Sequence, residues 1–256
     1  MSALYADRHR AESFGADAAS YDRVRPSYPR ELVDELLVGK PVSVLDVGCG
    51  TGIAAVLFNE RGCRVLGVEP DERMARFSRG KGLDVEIAKF ESWQARGRSF
   101  DLLVCAQAWH WIDPVVGAVK AAETLNANGR LGVFWNFGAP PADIKRAFNA
   151  IYMRLAPDIE RHSILLGNTD HRLDVVTAAL DQSARFTPSE LHTWRWSRRY
   201  TTAQWREHLL THSDHKALPA ADQEALLGGI GEVLDNRDGA VEIGYETHLI
   251  SAYTLP

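Results

Sequence analysis

Residues 44–52, Val-Leu-Asp-Val-Gly-Cys-Gly-Thr-Gly, limit what this chain can fold into more than any other stretch. The run opens apolar and β-branched, as a parallel strand buried on both faces does. An acid, Asp46, then precedes three alternating glycines, Gly48, Gly50 and Gly52. Ile53 to Phe58 is apolar and can form a helix. Strand, glycine turn and helix N-terminus together make a cup of main chain. The glycines let a ligand approach where a Cβ would clash. The helix start offers unpaired N–H donors and partial positive charge. A dinucleotide fingerprint reads G-x-G-x-x-G, but here the third glycine comes one residue early. Asp46 would repel a pyrophosphate, and no Lys-Ser/Thr pair follows to make a P-loop. A ligand with a cationic part and no phosphate fits this cup better. S-adenosylmethionine has a sulfonium, an ammonium, a carboxylate and a ribose.

On these residues the chain carries a resemblance. Asp46-Val47-Gly48-Cys49-Gly50-Thr51-Gly52 resembles the first motif of the class I S-adenosylmethionine-dependent methyltransferases, and most of all the small-molecule group that includes the trans-aconitate enzymes. The resemblance is close over residues 10 to 136 and looser beyond. It implies an α/β fold: a Rossmann-like, doubly wound, seven-stranded sheet with strand 7 antiparallel and a helical cap inserted after strand 5. The expected division is an N-terminal lid over 1–40, a cofactor-binding core over 41–137, the cap over 138–190, and the rest of the core sheet over 191–256. The implied reaction is methyl transfer from S-adenosylmethionine, leaving S-adenosylhomocysteine, to a small molecule. A carboxylate or hydroxyl oxygen is favoured over nitrogen. The alternatives are a cofactor-binding regulatory partner without catalysis, and a protein methyltransferase.

The residues downstream repeat a strand–helix alternation. Arg64–Glu69, Leu83–Ala88, Phe100–Cys105 and Arg130–Asn136 read as strands two to five, with helices between them. Five alternations are the doubly wound signature. Asn126–Gly129 reads as a turn, and Pro114 as the first residue of a helix. Leu191–Tyr200 and Val241–Ile250 read as the last two strands, and Thr202 as a helix cap. Arg195, Arg198 and Arg199 read as a basic face of the sixth strand.

Candidate site residues follow from this order. Glu69 ends the second strand about twenty residues past the glycine turn, the spacing that places an acid on a ribose. Pro70 stops that strand, and the following helix carries Met74. In an open parallel sheet the ligand lies beyond the carboxyl ends of the strands at the switch point. That point falls between the first and fourth strands and brings Ala106 and Gln107 to the reacting group. The resemblance adds a lid with Tyr21 and Arg25 at the methionine end, and Phe90 and Glu91 at the adenine. The cofactor set is thus Tyr21, Arg25, Asp46, Gly48, Cys49, Gly50, Gly52, Glu69, Pro70, Met74, Phe90, Glu91, Ala106 and Gln107.

Trp109-His110-Trp111 is the most chemical stretch. Two indoles can line an acceptor pocket and tolerate a sulfonium over their π faces. His110 is the candidate general base, since imidazole titrates near working pH. Trp135 and Asn136 end the fifth strand and complete the expected substrate set. His208, His212 and His215 share helical spacing, but no carboxylate or cysteine completes an obvious metal site, and they read as a surface cluster. No metal is expected.

Net charge is −5. That balance argues against nucleic acid as a partner, and no apolar run approaches the length of a membrane span. Three cysteines near predicted core elements suit a reducing compartment. A cytoplasmic monomer or homodimer acting on a small molecule is the expectation.

Overall fold

The computed structural model describes residues 14–162 and 171–256. A 3₁₀ turn, Phe14–Asp17, leads into helix α1 (Ala18–Val24), capped by Asp17, whose side chain accepts the N–H of Ser20. Pro26 and Pro29 hold the next stretch extended, as proline and the residue before it must be. Helix α2 (Arg30–Leu36) follows, then strand β1 (Ser43–Val47), helix α3 (Ile53–Asn59) and strand β2 (Arg64–Glu69). Helix α4 (Glu72–Gly80) precedes β3 (Asp84–Ile87) and β4 (Phe100–Ala106). A 3₁₀ turn, Trp109–Trp111, then leads to α5 (Pro114–Thr124) and β5 (Leu125–Ala139). Beyond it come α6 (Ala142–Leu155), α7 (Pro157–His162), α8 (Arg172–Ser183) and β6 (Glu190–Thr201). The chain closes with α9 (Thr202–Leu210), α10 (Ser213–Lys216), α11 (Ala220–Asp235) and β7 (Ala240–Tyr253).

The seven strands form one sheet in the order β3-β2-β1-β4-β5-β7-β6. β1 to β5 pair in parallel, and β7 runs antiparallel between β5 and β6. The order reverses at β1 and β4, where the chain starts in the middle of the sheet and builds outward in both directions. The two loops leaving β1 and β4 therefore diverge and open a crevice between them.

Both faces of the sheet are covered. Leu32, Leu36, Ala54, Phe58 and Ala75 from α2, α3 and α4 pack on one face against Val44, Leu102, Val104 and Phe134. Gly132 permits this approach: a Cβ there would stand 2.7 Å from Leu36 Cδ2. On the other face Ala118 and Ala121 of α5 join Val176, Ala179 and Leu180 of α8 over Leu45, Leu103 and Val133. So α8 belongs to the layer over the sheet. Of the segment 138–190, α6 and α7 instead join α9 and α11 in a third cluster on the extended ends of β6 and β7.

Four expectations need correction. Asn126–Gly129 is not a separate turn. β5 runs through it, with Asn128 at φ +59° and a register shift against β4 between Phe100 and Leu102. The N-cap of α9 is Thr201, in a reciprocal capping box with Gln204. Thr202 lies inside the helix, and its hydroxyl donates to Asp235 Oδ1 at 2.6 Å. Strand alternation separates the basic residues of β6. Arg195 pairs with Glu246 and Arg199 with Asp238 on the exposed side, while Arg198 points the other way and donates to Arg25 O at 2.8 Å. Finally, the histidines are not a surface cluster. His208 and His215 are buried. His208 stacks on Trp205, His212 Nε2 lies 3.3 Å from His208 Nε2, and His215 bridges Tyr152 OH at 2.7 Å and Asp214 at 2.8 Å. Burial and the Arg25 charge push the pKa of His208 down, so its ring stays neutral. No group of three metal-ligating side chains occurs among the described residues. Of the cap expected over 138–190, residues 163–170 lie outside the described residues.

Candidate active site

The cup forms as the strand–glycine–helix pattern requires. Gly48, Gly50 and Gly52 take φ values of +67°, +56° and +83°, the left-handed region open to glycine. Two of them do different work. At Gly48 a Cβ would stand 2.5 Å from Ala108 Cβ, so this glycine lets the loop after β4 close over the loop after β1. At Gly50 a Cβ would meet nothing within 4 Å, so its bare face looks onto the open side of the cup. The Gly48 N–H donates to Val68 O at 2.8 Å, which fixes the turn to β2.

Two buried acids stand at the cup. Glu69 is 8% exposed. Its Oε2 accepts the Gly50 N–H at 2.9 Å and its Oε1 the Asp71 N–H at 2.9 Å. Burial raises its pKa to about 7 despite those two bonds. Asp46 is fully buried, and neither carboxylate oxygen has a hydrogen-bond partner among the described residues. Burial first and then the Glu69 charge raise its pKa to about 8, and the nearby Ala55 N–H offsets only part of this. Burial and the two acids also raise the Cys49 and Cys105 thiols, and burial raises Tyr28 with Tyr21 and Asp46 adding to it. An unpaired buried carboxylate costs several kcal/mol unless it is neutralised or finds a partner. The region is thus built to favour positive charge. A ligand offering a cation and ribose hydroxyls fits it, and a phosphate does not.

Asp71 closes one edge. It caps α4 through the Arg73 N–H at 2.8 Å and also accepts the Gly15 N–H at 3.1 Å. That second bond ties the N-terminal segment to the start of α4. Ser20 Oγ donates to Glu207 Oε1 at 2.6 Å, and Arg23 pairs with the same carboxylate, so α1 bridges α4 and α9. Arg25 lies over the Tyr21 ring at 4.9 Å and donates to Thr211 O at 3.0 Å. The expected lid pair is therefore together, with one arm of Arg25 directed to the end of α9. Tyr28 meets Phe134 edge to face at 4.8 Å.

The remaining cofactor candidates divide by burial. Met74 and Phe90 are core residues, and Phe90 stacks with Trp93 at 6.5 Å. Cys49 is buried against Gly67, where a Cβ would stand 2.6 Å from its sulfur. Pro70 and Glu91 are part-exposed, and Glu91 Oε1 accepts the Asp113 N–H at 3.4 Å. Ala106 and Gln107 are part-exposed at the end of β4. Gln107 takes φ +59°, and its N–H donates to Phe134 O at 2.9 Å.

The substrate candidates divide in the same way. Trp109 and Trp135 are fully buried, whereas His110 and Trp111 are part-exposed with ring centroids 4.9 Å apart. The Trp135 Nε1–H donates to His110 Nδ1 at 3.3 Å. The Trp109 Nε1–H has no hydrogen-bond partner among the described residues. Asn136 is committed to the framework: it donates to Ser27 O at 2.9 Å and accepts from Thr247 Oγ1 at 2.6 Å. Sequence reasoning missed the anchoring roles of Asp71, Thr247 and Ser27. Only Asp71 had a visible signal, as an acid opening a helix.

Comparison with known proteins agrees with this geometry. Residues 45–133 match the family described as a methyltransferase domain. An uncharacterised methyltransferase of Mycobacterium tuberculosis is 39% identical over 132 residues, covering 50% of this chain and 54% of that protein. The chain thus spans about half the length of the curated relatives it matches. In fold it is similar to a type II methyltransferase assignment from Anaeromyxobacter dehalogenans, with TM-score 0.67, 20% identity, and coverage of 91% of this chain and 99% of that one. It is also similar to phosphoethanolamine N-methyltransferase 2 of Haemonchus contortus, solved with phosphomonomethylethanolamine and S-adenosylhomocysteine. There the TM-score is 0.54 at 13% identity, covering 96% of this chain and 60% of that one. Residues 45–133 thus match the methyltransferase-domain family, and the seven-stranded sheet has the fold of the solved methyltransferase it resembles.

Proposed function

We propose that the protein binds S-adenosylmethionine in the glycine cup and catalyses methyl transfer to a small molecule, with a carboxylate or hydroxyl oxygen as the favoured acceptor. The observation that carries this reading is the unpartnered, fully buried Asp46 carboxylate beside Glu69 at the switch point. Such a pair favours a cation-bearing ligand over a phosphate-bearing one. The Haemonchus enzyme of the same fold, whose structure contains S-adenosylhomocysteine, supports the choice of cofactor.

The cofactor supplies a methyl carbon already activated by its sulfonium. The residues then have three tasks. Glu69 receives the ribose hydroxyls, and Gly50 provides the bare surface against which the ligand rests. Phe90, Met74, Pro70 and Glu91 line the adenine side, while Asp46, Gly48, Cys49, Gly52, Tyr21 and Arg25 surround the methionine side. Ala106, Gln107, His110 and Trp111 stand where the acceptor must approach, between buried Trp109 and the ends of β4 and β5. Holding two reactants in a near-attack arrangement can supply about 7–11 kcal/mol. Positioning and exclusion of water are therefore the protein's main contribution.

Calorimetric titration of the full chain with S-adenosylmethionine and with S-adenosylhomocysteine tests the reading. Micromolar binding of both is expected, and absence of binding by either overturns it.

A further inference from the structure

The bond between Trp135 and His110 decides which proton the histidine carries. Trp135 is fully buried within β5, and indole nitrogen can only donate. Its Nε1–H points at His110 Nδ1, 3.3 Å away. In a neutral imidazole one nitrogen donates and the other accepts. Nδ1 is the acceptor here, so the ring proton sits on Nε2. A histidine in that form carries its proton on Nε2. It has no lone pair there with which to remove a proton.

We propose that Trp135 is a positioning residue that locks His110 in its Nε2–H tautomer, so that His110 does not act as the base of the methyl transfer. This rests on the methyl-transfer reading and narrows the acceptor. The molecule must bring an oxygen that is already nucleophilic, such as a carboxylate, because the histidine at the site holds a proton where a base would need a vacancy. A neutral alcohol would need another group to remove its proton. Gln107 does not supply one: it is an amide, and its Nε2 donates to Asn136 O at 3.2 Å.

The geometry makes a contrast between two indoles of one core cluster. Trp109 is as deeply buried as Trp135, yet its indole N–H has no hydrogen-bond partner among the described residues. Trp135→Phe removes a bond to His110, whereas Trp109→Phe removes a similar volume and no bond. The two variants separate a packing effect from a proton-placing effect.

The test is long-range ¹H–¹⁵N correlation spectroscopy of histidine-labelled full-length protein without cofactor, at about pH 9, above the usual imidazole range. His110→Gln identifies the His110 signals among those of the nine histidines by their disappearance. The wild type should show the pattern of the Nε2–H tautomer. Trp135→Phe should lower the ratio of Nε2–H to Nδ1–H forms by about fivefold or more, the scale of one lost hydrogen bond, and Trp109→Phe should leave it unchanged. An Nδ1–H pattern in the wild type overturns the proposal whether or not the variants fold. An unchanged ratio in folded Trp135→Phe, or an equal change in Trp109→Phe, also overturns it. None of these spectra depends on cofactor binding, so calorimetric failure of the methyl-transfer reading remains a separate result.

Discussion

Glu69 Oε2 accepts the N–H of Gly50 at 2.9 Å, so the tip of β2 grips the glycine turn at its middle residue. The other oxygen holds the Asp71 N–H at the same distance. One carboxylate thus sets the spacing between the cup and α4, and it still has lone pairs for a ribose. Glu69→Ala should weaken S-adenosylmethionine binding by about 1.5–3 kcal/mol, the worth of hydrogen bonds to a charged group. Glu69→Gln should fall between Ala and wild type. Titration calorimetry reads the change, and wild-type affinity in Glu69→Ala would remove this residue from the ribose.

The glycines should fail in different ways. Gly48→Ala forces a side chain into the left-handed region and against Ala108, 2.5 Å from its Cβ. Strain alone costs about 1–2 kcal/mol, and the contact adds to it, so the melting temperature should drop. Gly50→Val faces open space and bears strain without a clash. It should stay folded and lose cofactor binding. Circular dichroism melts and calorimetry on both variants check the division. A folded Gly50→Val that binds normally would defeat the cup.

Asp46 and Glu69 should make the cofactor-free protein lose stability as pH rises. Their pKa values are raised to about 8 and about 7, whereas the unfolded carboxyls titrate near 4. Between those limits the native state binds more protons than the unfolded chain, and stability falls with increasing pH. The loss is absent below about pH 4 and complete above about pH 8. The groups facing Asp46 are Glu69, Cys49, Cys105 and Tyr28, all of which disfavour its ionised form or are disfavoured by it. Melts at about pH 5.5 and 8.5 compared between wild type and Asp46→Asn isolate this contribution. The wild type should lose more on going to the higher pH. A cationic ligand favours the ionised acids, so its affinity should rise over the same window with release of protons. Calorimetry in two buffers of different ionisation enthalpy measures that release.

Glu207→Ala should loosen α1 without touching the cup. Glu207 accepts from Ser20 and pairs with Arg23, both on α1. Loss of one such bond is worth about 0.5–1.5 kcal/mol. Amide hydrogens of residues 18–24 should therefore exchange several-fold faster by mass spectrometry, while those of β1 and β4 stay at wild-type rates.

The doubly wound core was legible because each signal was local. The 44–52 run, the acid at Glu69 and the strand periods each specify their own element within a few residues. The failures were of two kinds. Boundary residues such as Thr201 and Thr202 differ in role only through the capping box that Gln204 completes. Polar residues such as His208, His215 and Asn136 looked available because polar side chains usually face water. Their burial depends on partners far away in sequence, Tyr152 and Thr247 among them. Trp135 and Trp109 show the same limit. Nothing in the sequence distinguishes an indole that donates to His110 from one without a partner among the described residues.

The segment from Gly15 to Ser27 is tethered at four points by its own main chain. Asp71 takes the Gly15 N–H, Arg198 binds the carbonyls of Arg23 and Arg25, and Asn136 binds that of Ser27. The route of the segment is thus encoded in residues that lie elsewhere in the chain. Beyond the tethers that Ser20, Asp22, Arg23 and Arg25 supply, its side chains are released from the duty of holding it in place. Evolution can change those others one at a time while the segment itself keeps its course.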